Sequence, residues 1–75
     1  MKYILYDVIN MTYEEIARCN DFRMLRGNIK DYVLETDNEC MLCYKNIVTG
    51  QINPIYTEWD ETESGRLTVD ITIEK

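Results

Sequence analysis

The sequence predicts an α+β domain in which one helix packs on a single curved, mainly antiparallel sheet, in the order β-α-β-β-β-β. The clearest observation is the strict alternation of apolar and polar residues over positions 66–75. Successive side chains of a strand point to opposite faces, so this segment has one apolar face for the helix to cover. A helix-start signal near position 12 predicts the helix. The short connections after the helix predict antiparallel pairing of the strands. We expect one domain, residues 1–75, because so short a chain builds a single small core. The apolar residues of the alternating segment are Leu67, Val69, Ile71 and Ile73.

The predicted helix depends on signals at its two ends. Thr12 and Glu15 have the spacing of a capping box, in which each side chain satisfies a free backbone N–H at the start of a helix. The Gly-Asn pair at positions 27–28 is a typical helix end. We therefore predict a helix over residues 13–26, which a break near Asn20 would divide in two.

The strands are predicted from runs of apolar and β-branched residues between turn signals. Residues 3–9 have two mostly apolar faces, which is typical of a strand in the middle of a covered sheet. Pro54 cannot donate a ladder hydrogen bond, so its strand is predicted to lie at an edge or to be bulged. An acidic loop, residues 58–65, then leads into the last strand. The remaining strands are predicted at residues 29–35, 40–48, 51–57 and 66–75.

Composition limits the classes of function. The net charge of −6 and the absence of histidine disfavour direct nucleic-acid binding, because attraction to phosphates supplies most of that affinity. Three cysteines, an odd number, argue against a secreted disulfide framework and for a reducing compartment. No apolar run approaches the ~20 residues of a membrane span. We expect a cytoplasmic protein without membrane contact, in the host cytoplasm if a phage encodes it.

The sequence carries no pattern for catalysis, a metal or a cofactor. Its one serine, Ser64, lies in a turn signal, and there is neither a histidine base nor a glycine-rich phosphate loop. Cys40 and Cys43 have C-x-x-C spacing, but residues i and i+3 of a strand point to opposite faces. We therefore interpret these cysteines as structural thiols and predict a protein that is not an enzyme.

Residues 12–30 superficially resemble a helix-turn-helix. Arg23, Arg26 and Lys30 would then form the basic face of the second helix. The Gly-Asn pair at 27–28 would break that recognition helix, so an amphipathic helix with a basic end is the simpler interpretation. A small DNA-binding regulator is the weakest of the alternatives.

The arrangement of carboxylates is more informative than any motif. Carboxylates two residues apart on a strand lie about 6.8 Å apart on one face, a regular row that a basic groove meant for nucleic acid can bind. Trp59 stands within such an acidic run, as tryptophans at interface hot spots do, or it caps the core. The predicted partner-binding residues are Glu35, Asp37, Glu39, Glu58, Trp59, Asp60, Glu61, Glu63, Asp70 and Glu74.

These observations predict a small acidic inhibitor that binds a basic nucleic-acid-processing protein. In size, charge and layout the chain resembles the small acidic phage proteins that block host defence, such as anti-CRISPR proteins. That resemblance implies inhibition of a host enzyme and transfers no functional residue. The alternative is a non-catalytic interaction or assembly module that forms a homodimer, or pairs with a partner strand, through a sheet edge. A solvated polar face is the simplest explanation of any single row of charges.

Overall fold

The computed structural model describes residues 1–36 and 41–74, and within them the predicted α+β class is confirmed: one helix packs on one open sheet. All neighbouring strands are antiparallel, in the order β2-β1-β3-β4-β5 across the sheet. The first strand is therefore an interior strand, as predicted, and β2 and β5 are the edges. The elements are β1 (Tyr3–Ile9), β2 (Thr12–Cys19), α1 (Phe22–Thr36), β3 (Leu42–Asn46), β4 (Ile52–Glu61) and β5 (Leu67–Ile73).

A hairpin replaces the first part of the predicted helix, so the order along the chain is β-β-α-β-β-β. Asn10 and Met11 have φ angles of 50° and 65°. Two successive residues with positive φ are typical of the two-residue turn that joins antiparallel strands. This turn pairs Thr12–Cys19 with β1, and the capping-box residues Thr12 and Glu15 lie in that strand instead of starting a helix.

The helix begins later and ends later than the sequence predicts. Asp21 caps it, because its Oδ1 accepts a hydrogen bond of 2.8 Å from the backbone N–H of Met24. The helix then runs through Gly27 and through residues 29–35, which were wrongly predicted as a strand. The apolar residues of that segment fit helical spacing, since together with the preceding turn they form one buried stripe. The stripe consists of Leu25, Ile29 and Val33.

The core lies between this stripe and one face of the sheet. Leu5 of β1 and Tyr44 of β3 are fully buried against it, with Leu42 and Ile55 beside them. The backbone of α1 comes close to β1 and to both edge strands, β2 and β5. A sheet whose two edges both approach one helix must bend around that helix, which agrees with the curved sheet predicted.

The apolar side of β5 packs against the core as the alternation predicts. Val69, Ile71 and Ile73 are partly buried there, whereas Leu67 at the start of the strand is 53% exposed. Arg26 of α1 donates a hydrogen bond of 2.6 Å to the backbone carbonyl of Ile71. This contact ties the helix to the edge strand.

Two polar groups at the core have partners that connect distant elements. Asp7, the one buried charged residue of the described chain, accepts a hydrogen bond from the Tyr32 hydroxyl of α1. The Tyr44 hydroxyl donates to the backbone carbonyl of Glu74 and accepts from the Asn53 side chain at 3.3 Å. Buried polar groups without partners are costly, so these bonds help to hold β1 to α1 and β3 to the end of β5.

Pro54 lies in an interior strand whose register with β3 is unbroken, so the prediction of an edge strand or a bulge was wrong. It stands opposite Cys43 of β3, while β4 begins to pair with β5 only at Ile55, opposite Ile73. The backbone N–H of Asn46 donates to the Gln51 carbonyl, so these two residues form a hydrogen-bonded pair. Opposed pairs of an antiparallel ladder alternate between hydrogen-bonded and non-hydrogen-bonded, and Cys43 and Pro54, three pairs further along, are therefore a non-hydrogen-bonded pair. The missing N–H of Pro54 therefore breaks no bond to β3.

We expect Met11→Gly to stabilise the protein by about 0.5–1 kcal/mol, because glycine adopts positive φ without the steric cost that methionine has there. Urea denaturation followed by circular dichroism measures the change. The matched control is Met24→Gly in the exposed first turn of α1, which should lower stability, by about 1 kcal/mol at most. A destabilised Met11→Gly variant would contradict the hairpin.

We expect Leu25→Ala to lower the free energy of unfolding by about 2–5 kcal/mol, because Leu25 is 0% exposed at the centre of the core. Met24→Ala, one residue away and 50% exposed, should change it by about 0.5 kcal/mol or less. Both values come from urea melts of the two variants and the wild type. Equal effects of the two substitutions would show that α1 buries a different face.

Candidate functional site

The sheet face opposite α1, here called the outer face, has no second layer within residues 1–36 and 41–74. Strand alternation and the register place every second residue of each strand on it. The outer face therefore combines a central apolar part with a charged part. The apolar part consists of Ile4, Tyr6 and Val8 of β1, Tyr13 of β2, Cys43 of β3, and Ile52, Pro54 and Tyr56 of β4.

Several of these apolar side chains are open to solvent. Tyr13, Ile52 and Tyr56 are each about half exposed or more, with Tyr56 at 55%. The rings of Tyr6 and Tyr13 meet edge to face across the β1–β2 hairpin, with 5.8 Å between their centroids. Exposed aromatic residues grouped on one face are typical of interaction surfaces. Sequence analysis missed this group, although the apolar character of both faces of residues 3–9 was a signal for it.

Three carboxylates form a cluster on the outer face where β4 pairs with β5. Glu58 stands directly opposite Asp70, and Asp60 lies two residues further along β4 on the same face. We call Glu58, Asp60 and Asp70 the carboxylate cluster. Opposed residues of an antiparallel pair have Cβ atoms about 4.5–5.5 Å apart, and like charges in that position are destabilising.

No cation neutralises this cluster within the described part of the chain. The salt bridge found there joins Arg18 to Glu15 at 2.8 Å, on β2 at the other end of the sheet. Hydrogen bonding from the Arg18 guanidinium lowers the pKa of the Glu15 carboxyl. The carboxylate cluster is thus an uncompensated negative patch beside the exposed ring of Tyr56.

The predicted acidic loop does not exist as a loop, because β4 extends to Glu61 and the turn covers residues 62–66. Alternation then separates the predicted residues. Trp59, opposite Val69, faces the helix and packs partly buried against the core, so it is a core residue as one of the two interpretations held. Glu61 shares its side of the strand, and Glu63 lies in the turn.

The other predicted partner-binding residues lie apart from the cluster or outside the described chain. Glu35 is exposed on α1, which covers the opposite face of the sheet. Glu74 follows β5, and its backbone carbonyl is engaged by Tyr44. Asp37 and Glu39 lie outside the described residues. The structure therefore brings together three of the ten residues, and the register between β4 and β5 decides which three.

The cysteines that the structure describes are buried. Burial raises the pKa of the Cys43 thiol, and burial together with the negative charge of Asp21 raises that of Cys19. A raised pKa leaves little thiolate, the reactive form, at neutral pH. Cys40, the other member of the C-x-x-C pair, lies outside the described residues. In residues 1–36 and 41–74 no three Cys, Asp or Glu side chains are grouped as metal ligands.

The helix-turn-helix interpretation was wrong. Residues 12–19 form β2, and Arg23, Arg26 and Lys30 belong to one helix that follows it. Arg26 is engaged at the edge of β5. The described helix, 15 residues long, is also too short and too polar to cross a membrane.

We expect Glu58→Lys to stabilise the protein by about 0.2–1 kcal/mol at low salt, because it replaces a like-charge pair with an ion pair opposite Asp70. In about 1 M salt, where the Debye length is about 3 Å, the gain should largely disappear. Glu63→Lys in the turn changes the net charge equally without facing a carboxylate and is the control. Equal urea midpoints for the two variants at low salt would contradict the opposition of Glu58 and Asp70.

Comparison with known proteins assigns no family, since no protein-family model, curated protein or solved structure matches the chain. The outer face and its carboxylate cluster are therefore the observations from which a function is proposed.

Proposed function

We propose that this protein is a small, acidic, non-catalytic inhibitor that binds a basic nucleic-acid-processing protein, in the manner of phage anti-defence proteins such as anti-CRISPR proteins. The observation that carries the proposal is the carboxylate cluster. Glu58 and Asp70 face each other and Asp60 continues the row, on the one face of the sheet that α1 leaves open. An arrangement that destabilises the free protein is explained if a partner supplies the missing cations.

The spacing of the cluster suits a groove that normally holds nucleic acid. Carboxylates two apart on a strand are separated by about 6.8 Å, close to twice the 3.4 Å of axial rise per phosphate in one DNA strand. A groove lined by lysine or arginine would therefore bind carboxylates at a spacing related to that of the phosphates it normally binds. The net charge of −6 would also steer the protein towards such a groove over distance.

The apolar part of the outer face supplies binding energy through burial, which the carboxylates alone do not. Tyr56 and Pro54 on β4 lie next to the cluster, and Ile52 extends this apolar strip along the same strand. Burial of aromatic and aliphatic side chains gives most of the affinity at interface centres, whereas rim charges chiefly give specificity and speed of association. The outer face has both components side by side.

The two sheet edges favour this face over the alternative of edge pairing. β2 has a bulge where Ile16 interrupts its register with β1, and it carries charged residues along its length. On β5, Arg26 engages the carbonyl of Ile71. Bulges, charges and covered edges are the features by which proteins discourage pairing with another strand.

We expect the variant Glu58→Lys/Asp60→Lys/Asp70→Lys to lose its partner. Loss of a partner in an interfacial charge pair costs about 2 kcal/mol or more, so affinity should fall about thirtyfold or more. The measurement is a pull-down from bacterial lysate with wild type and variant as baits, then a binding titration with the captured protein. Wild-type binding should also weaken steeply as ionic strength rises above about 0.15 M.

The matched control is Glu14→Lys/Asp31→Lys/Glu35→Lys, which reverses three exposed carboxylates away from the outer face. This variant has the same net charge as the first. If the control variant still captures the partner and the cluster variant does not, binding is assigned to the cluster. The captured protein should be a basic nucleic-acid-processing protein whose activity the wild type inhibits. Equal capture by both variants, in high salt as in low, would contradict the proposal.

A further inference from the structure

A small cavity lies between the second half of α1 and the start of β5, on the helix side of the sheet. Its volume is about 230 Å³. We call it the α1–β5 cavity. Its walls come from the helix, from the turn between β4 and β5 and from β5, and the lining residues are Lys30, Leu34, Thr62, Arg66, Leu67, Thr68 and Val69.

Two cations face this cavity without a carboxylate. Neither Lys30 nor Arg66 forms a salt bridge within residues 1–36 and 41–74. Arg18 is the one basic residue of the described chain that forms a salt bridge, so the two cavity cations share this unpaired state with the other described lysines and arginines. The charged residues of the lining are thus two cations, and the nearest carboxylate placed by the register is Glu61, opposite Leu67 on the same side of the sheet.

The hydroxyl groups of the lining are already engaged within the chain. The Thr62 hydroxyl oxygen accepts the Arg66 backbone N–H at 3.1 Å and lies 3.0 Å from the Ser64 hydroxyl. The Thr68 hydroxyl donates to the Asp60 carbonyl at 3.5 Å. Charge-assisted bonds from Lys30 and Arg66 are thus the main polar contacts that the cavity offers to a ligand.

The rest of the lining is apolar and open. Leu34 is 46% exposed and Leu67 is 53% exposed, and Val69 lies beside them on β5. A ligand with an apolar body would remove this surface from water, at roughly 25 cal/mol per Å². Drug-sized ligands occupy cavities of about 300–1,000 Å³, so the occupant of this one is smaller.

We propose that the α1–β5 cavity binds a small organic carboxylate with an apolar body, of the class of medium-chain fatty acids. Arg66 and Lys30 donate to its carboxylate, and the chain lies on Leu34, Leu67 and Val69. Arginine suits this role because its planar guanidinium donates two parallel bonds to one carboxylate. The cavity lies mainly on the helix side of the sheet, with Thr68 of its lining opposite Asp60 of the carboxylate cluster, and the ligand proposed for it does not depend on the proposed inhibitor function.

The test is a titration of the ¹⁵N-labelled protein with sodium octanoate, followed by ¹H–¹⁵N correlation spectra. Octanoate should shift the amide signals of Lys30, Leu34 and residues 62–69 in a saturable way and leave β1 and β2 unchanged. Arg66→Gln and Lys30→Gln should each weaken binding about tenfold, because each removes a charge-assisted bond. Lys2→Gln, which removes an exposed lysine elsewhere, is the control and should bind as the wild type does.

Two further probes separate the charge from the apolar body. Uncharged 1-octanol should bind at least about tenfold more weakly than octanoate, and so should inorganic phosphate, which has charge and no apolar chain. If octanol or phosphate binds as tightly as octanoate, the proposal is overturned. It is also overturned if millimolar octanoate shifts no amide signal of the residues that line the cavity. Urea midpoints equal to the wild type show that Arg66→Gln and Lys30→Gln remain folded. Both variants should still capture the partner of the outer face, so the two proposals fail separately.

Discussion

The packing of Leu25, Ile29 and Val33 against Leu5 and Tyr44 is the contact on which the rest of the structure depends. A chain of this length buries only about 60% of the surface of its unfolded state, and its one helix can cover only one face of the sheet. The stripe therefore fixes which face of every strand becomes core. The bend of the sheet follows too, because both edge strands reach the helix. The outer face is the face of the sheet that the helix does not cover.

That division gives the protein two sides with different chemistry. The outer face combines exposed Tyr13 and Tyr56 with a cluster of carboxylates that no cation in the described chain neutralises. The helix side carries the basic residues Arg26 and Lys30, one tied to β5 and the other facing a cavity. Strand alternation separates Trp59 from Glu58 although they are neighbours in the chain, so the tryptophan supports the core and the carboxylate faces outward. Features that destabilise a free protein, such as opposed like charges, are expected at sites that serve binding.

The errors of sequence interpretation have a common physical origin. Thr12 and Glu15 satisfy the rules for the start of a helix, and the same segment, with its threonine, tyrosine and isoleucine, also suits a strand. The turn at Asn10 and Met11 brings the segment against β1, whose backbone groups then pair with it along its length. A local cap satisfies one or two backbone groups, whereas the ladder satisfies many. Residues 29–35 were wrongly predicted as a strand because a short apolar run also suits a strand. Their apolar positions fit helical spacing once they are taken together with Leu25.

Properties that depend on spacing along one segment could be predicted from the sequence. This group includes the alternation of the last strand, the interior position of residues 3–9 in the sheet, the α+β class and the acidic balance. For the candidate site, the sequence identified Glu58, Asp60 and Asp70 but placed them among seven other residues. Which carboxylates share a face depends on where β4 ends and on its register with β5, and a shift of one residue would reverse every side chain. Such pairing is set by contacts between segments far apart in the chain, so only the folded protein brings the cluster, the outer face and the cavity into being.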